Sequence, residues 1–119
     1  MTSGEPRRLP TPPVWADFLR KDWDGRIRLD APGSHRDIMR WDITLSDGMA
    51  ILMYDEDADD EGLIDDLIVI GSLEFDPEED RWVAVVDPVD FKHVSELPSR
   101  DAAEYRRYRP QSQGRVRLA

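Results

Sequence analysis

Two apolar runs, Met49-Ala50-Ile51-Leu52-Met53-Tyr54 and Leu67-Ile68-Val69-Ile70, enclose a segment, 55–66, in which eight of twelve residues are carboxylates. Short apolar runs of this kind, bounded by turn residues, read as buried strands. The acidic segment between them is therefore expected to be a loop held at both ends rather than a loose tail.

The same patterning extends along the chain. Ile27 and Leu29 alternate with Arg26 and Arg28 as in a half-buried strand, which Pro32-Gly33 ends. Ser34 followed by Asp37 suggests a capped single turn carrying Ile38, Met39 and Trp41. Asp47-Gly48 between Ile43-Thr44-Leu45 and Met49–Tyr54 is a hairpin signal, because such a turn needs positive φ. A strand over Leu67–Phe75 contains Gly71, which predicts a bulge or sharp bend. Residues 76–80 form a turn. Along the following strand, 81–86, Trp82, Ala84 and Val86 face one way and Val83 and Val85 the other. After Asp87-Pro88-Val89-Asp90, residues 91–94 make a short closing element.

Upstream, Thr11-Pro12 resembles a helix start, and Val14, Trp15, Phe18 and Leu19 fall at helical spacing. A short N-terminal helix over 12–21 is expected; an extended segment inserting the same aromatics is the alternative. Five short strands bent at a glycine predict a mostly β protein, a small five-stranded barrel whose closure removes exposed edges. The strand–break–short strand ending is like that of Src-homology (SH3-like) barrels. The expected division is a Pro- and Arg-containing disordered lead, 1–11, an acidic barrel domain, 12–98, and a basic mobile tail, 99–119.

The stretch from Gly25 to Val94 resembles a family of small, uncharacterised bacterial proteins. The likeness rests on Gly25-Arg26-Ile27-Arg28-Leu29, Gly33 with Asp37-Ile38, Gly48-Met49, the acidic loop, Gly71, Phe75-Asp76, Trp82-Val83-Ala84 and His93. These are turn and core positions, so the resemblance implies a fold and transfers no functional residue.

Composition narrows the partners. The formal net charge is −10, with arginine-rich ends and the acid excess between them. Such a surface repels phosphate and anionic membrane and favours basic protein surfaces or cations. Cysteine is absent, which excludes disulfides, thiolate metal sites and thiol nucleophiles. With neither a signal-type apolar stretch nor a membrane-length run, a cytoplasmic protein is expected.

The candidate chemistry is centred on the acidic loop. Asp57, Asp59, Glu61 and Asp65 occupy the first, third, fifth and ninth places of a calcium-loop template, with Gly62 sixth and Ile64 eighth. Ile68 stands where that template needs a bidentate glutamate; Asp66 or Asp55 is the candidate replacement. Calcium is thus the one cofactor the sequence suggests, against the plainer reading of a solvated acidic turn that keeps two apolar strands soluble. For a basic protein partner the candidate contacts are Asp55, Glu56, Asp60 and Asp66, with Glu78, Glu79 and Asp80 from the second acidic turn.

Three weaker signals complete the reading. Tyr105-Arg106-Arg107-Tyr108-Arg109 with Arg115 and Arg117 mixes guanidinium and aromatic faces suited to RNA. It is equally suited to folding back on the acidic core. Arg7-x-x-Pro10-x-x-Pro13 has the form of a polyproline-II ligand. Asp87, Asp90, Lys92 and His93 make no complete catalytic set, Ser34-His35 are mere sequence neighbours, and Trp15, Trp23, Trp41 and Trp82 read as core and rim. A non-enzymatic interaction module is the expectation.

Overall fold

Strand β3 (Ala50–Asp55) buries four successive residues, Ile51 to Tyr54. Side chains alternate faces along a strand, so an unbroken apolar run has to be covered on both sides. Ile51 and Met53 join Val14, Ile27, Val69, Leu73 and Ala84 in one core. Leu52 and Tyr54 join Leu9, Ile68, Val94, Ala102 and Tyr105 in a second core on the opposite face. The computed structural model that shows this describes residues 9–22 and 24–112.

β4 (Leu67–Asp76) pairs antiparallel with the whole of β3, from Ala50 opposite Ser72 to Asp55 opposite Leu67. Its other edge is shared. β6 (Lys92–His93) takes Leu67 and Ile68, and β5 (Arg81–Val85) takes Ser72 to Asp76. Gly71 stands at the changeover. A Cβ there would lie 2.8 Å from the Val85 carbonyl oxygen and 2.8 Å from Val86 Cγ1. The missing side chain is what lets the sheet close up on itself at that point.

β1 (Val14–Trp15) adds in parallel to β3, and β2 (Ile27–Arg28) pairs antiparallel with β5. The strand order is β1-β3-β4-β5-β2, with β6 on β4. The protein is thus mostly β: a curled, mixed half-barrel with two short helices, α1 (Pro32–Arg40) and α2 (Ser99–Tyr108). Among the described residues, no helix is long and apolar enough to cross a membrane.

Several expectations are corrected. The sheet path has five strands with the two-residue β6 off it, and it ends at β1 and β2 instead of closing. No helix forms over 12–21. Thr11 and Pro12 each precede a proline, which disfavours helical backbone, and β1 instead bonds to β3, with Ala16 N–H donating to the Tyr54 carbonyl at 3.0 Å. Val14, Ala16 and Phe18 then enter the core at strand spacing, the extended alternative.

Residues 43–45 form no strand. Asp47-Gly48 is a turn, with Gly48 at φ 82°, but it binds β4: Gly48 N–H reaches the Leu73 carbonyl and Asp47 accepts from Phe75 N–H. The single turn near Ser34 is a nine-residue helix, and Ser34 and Asp37 are buried beneath it rather than capping it.

The two ends also pack further than expected. In the lead, Leu9 is buried and Thr11 Oγ1 accepts from Leu52 N–H at 3.0 Å. Residues 99–108 of the expected tail form α2, with Ala102 and Tyr105 in the second core. These two residues, three apart, are enough to seat one helical face. Arg106 and Arg107 complement the negative end of the helix dipole. The remaining tail with Arg115 and Arg117, the Arg7-Arg8 part of the polyproline motif, and Trp23 lie outside the described residues.

Candidate functional site

The acidic segment is a hairpin arm that continues β3 and β4. Beyond Asp55 and Leu67, Ala58 bridges Ile64, and Asp65 N–H donates to the Asp57 carbonyl at 2.9 Å. At the tip, Asp59 N–H bonds the Leu63 carbonyl, and Gly62 adopts φ 81°. The Asp59 carboxylate accepts from Glu61 N–H at 2.9 Å and Leu63 N–H at 3.0 Å. An aspartate bonding its own turn in this way is a local reason for the chain to reverse there.

The base of the arm is tied to the interior. Asp66 is fully buried, and its carboxylate takes two bonds from Arg109, Nε at 2.6 Å and Nη2 at 3.2 Å, plus the Tyr105 hydroxyl at 2.6 Å. A bidentate guanidinium is the strongest partner a buried carboxylate can have. Burial works against the Arg109 charge, but the Asp66 hydrogen bond and charge, with Tyr54 and Tyr105, together outweigh it and raise its pKa. Burial, reinforced by the Asp66 charge, pushes the Tyr105 phenol far up, so it acts as a donor. Asp66 N–H donates in turn to Ser112 Oγ.

Two further ties flank this one. Buried Asp65 accepts from both Ser95 N–H, at 3.0 Å, and Ser95 Oγ, at 2.5 Å. Asp57 Oδ2 lies 2.7 Å from His93 Nε2. The hydrogen bond between them raises the His93 pKa and lowers that of Asp57. Glu56 is 3.3 Å from Arg109 Nη2, and Asp55 accepts from Phe18 N–H at 3.2 Å, its carboxyl pushed up by burial.

The calcium-template residues are thereby sent to different places. Asp57 faces His93, Asp59 its own turn and Asp65 Ser95, while Glu61 is exposed at the tip; Ile68 is in the second core. Among the described residues no three His, Asp or Glu side chains gather as an ion site.

The expected partner contacts also divide. Asp66 is interior and cannot meet a partner, and Asp55 is partly covered, whereas Glu56 and Asp60 are exposed. Glu78, Glu79 and Asp80 are exposed as well, but they follow the far end of β4, up to about 30 Å from Leu67 at strand rise. That turn has its own organisation: Asp76 accepts from Glu78 and Glu79 N–H and bonds Arg26, which also reaches Asp22 and Glu74.

Asp87 bonds Val89 N–H, and Asp90 and Lys92 are exposed. Trp15 and Trp82 pack against the cores, and Trp41 meets Tyr108 edge-on at 5.1 Å. Folding of Tyr105–Arg109 back on the acidic core is one of the expected alternatives, and Tyr105 and Arg109 do so; Asp66 as their partner, and Ser112 beside it, are not foreseen in the sequence. The available signal was the four-residue spacing of Tyr105 and Arg109, which a helix places on one side.

No family model matches the chain, and no curated protein or solved structure matches it.

Proposed function

We propose that the protein is a cytoplasmic, non-enzymatic interaction module that receives a basic protein surface on the acidic hairpin. The observation that carries this reading is the contrast between the arm's base and its tip. Three carboxylates at the base are engaged from within by Arg109, Ser95 and His93. Beyond them, exposed Asp60 and Glu61 stand beside Leu63 and Ile64, each 39% exposed. Aliphatic contact with an acidic rim is the combination that gives a docking surface both affinity and charge selection. Tethering lowers the entropy lost when the tip is ordered against a partner.

Kinship with Src-homology-type barrels is part of this proposal. It is supported by the succession β5, a 3₁₀ turn (Pro88–Asp90) and the short β6.

The test is capture with wild-type protein and two double variants, Asp60→Asn/Glu61→Gln and Leu63→Ser/Ile64→Ser. The reading expects a basic protein that wild type retains, that moderate salt releases and that both variants lose. Partners held unchanged by both variants, or held at about 1 M salt where such charges are screened, contradict it.

A further inference from the structure

A cleft of about 560 Å³ lies between α1 and the residue that ends α2, and it gathers cationic groups on an otherwise acidic molecule. Arg36 and Arg40, one turn apart on α1, form one wall, and Arg109 with Glu56 forms the other. Trp15 and Tyr54 line the remainder.

These donors are fixed from behind. Asp37, fully buried, accepts from Trp15 N–H at 3.0 Å, from the Tyr54 hydroxyl at 3.1 Å and from Arg36 Nε at 3.3 Å. Gly33 admits the Trp15 ring so closely that a Cβ would be 2.8 Å from Cε3. Arg109 lies 4.1 Å from the Tyr54 ring centroid while Asp66 holds its Nε edge. Asp37 and Asp66 are not among the lining residues: they orient guanidinium groups and do not face the cavity. Arg40 stacks on Trp41 at 4.6 Å and, among the described residues, has no carboxylate partner. The α1 N-terminus adds to the same field. Pro32 and Gly33 line the cleft, no side chain caps the helix, and its first turn contains no acid.

We propose that this cleft binds a phosphate monoester. Asp37 and Asp66 balance Arg36 and Arg109 from behind, so the donors left to an anion are those of Arg40, which has no carboxylate partner among the described residues, and the remaining N–H groups of Arg36. Guanidinium forks match the edges of a tetrahedral oxyanion. The volume is that of a small-molecule site, and Trp15 and Tyr54 offer an apolar surface to the group that carries the phosphate. This site is separate from the hairpin tip, and its existence does not depend on a protein partner.

Calorimetric titration with phenyl phosphate, inorganic phosphate and benzoate tests the proposal on wild type, Arg36→Gln and Arg40→Gln. Melting temperatures confirm that each variant is folded; both arginines are exposed. The proposal expects saturable phenyl phosphate binding that inorganic phosphate competes and benzoate does not. Each variant should weaken it about tenfold, the loss of one charge-assisted bond. Competition by inorganic phosphate at equal affinity assigns recognition to the phosphate alone; tighter phenyl phosphate binding assigns part of it to the aromatic lining. Absence of saturable binding, equal binding of benzoate, or binding that both variants leave unchanged overturns it.

Discussion

Arg109 Nε donates to Asp66 Oδ2 across 2.6 Å, joining the residue that ends α2 to the residue that leads into β4. The contact brings a positive side chain from the arginine-rich end of the chain to the base of its most acidic stretch. One guanidinium thereby seats the second helix, covers the Tyr54 ring and fixes the root of the hairpin.

Arg109→Gln should therefore destabilise the protein by about 3–5 kcal/mol, because it leaves Asp66 buried without its counter-charge. Tyr105→Phe removes one hydroxyl from the same carboxylate and should cost about 1–3 kcal/mol. Urea unfolding measures both. A cost below about 1 kcal/mol for Arg109→Gln would show that the pair is not the lock described.

Gly71→Ala should cost about 1–3 kcal/mol, the usual penalty of overpacking. The added methyl meets backbone oxygen of Val85, which cannot rotate away, as well as Val86 and Met53. Unfolding of this variant with wild-type stability would mean that the sheet does not depend on close approach at its bend.

The tie between His93 and Asp57 makes stability depend on pH. His93 is raised above 6.5, so its contribution is fully present below that value and is lost as pH rises through the folded pKa. Asp57 is lowered below 3.8, so its contribution is present above that value and is lost as pH falls through the folded pKa. From about pH 6 to about pH 8, wild type should lose melting temperature relative to His93→Gln. His35 is common to both proteins and cancels in the comparison. NMR titration should place His93 above 6.5; identical pH profiles for wild type and variant would contradict the tie.

The strands were legible in the sequence where packing obeys local pattern. The run Ile51 to Tyr54 has no polar break and survives into the fold as β3; at Gly71 the ladder to β3 runs on without the expected bulge, and the glycine instead admits Val85 and Val86. The misreadings have a common origin in long-range contacts. Val14 and Trp15 fit helical spacing as well as strand spacing, and the decision fell to β3, nearly forty residues away. Residues 99–112 have a disordered-looking composition because their stabilising partner, Asp66, lies elsewhere in the chain. The acidic run was visible at once, but the division of its carboxylates into buried anchors and exposed tip was not. That division depends on Ser95, His93 and Arg109, none of which lies within the run.

Backbone order across 57–65 is the decisive quantity, since anchored carboxylates should make the arm as rigid as the sheet it extends. Amide relaxation should give order parameters near about 0.85 at Asp59, Glu61, Leu63 and Ile64, equal to those of β3 and β4. Values below about 0.6 at these residues, with β3 and β4 remaining rigid, would mean that the hairpin is a loose acidic loop and that its interior ties do not hold it.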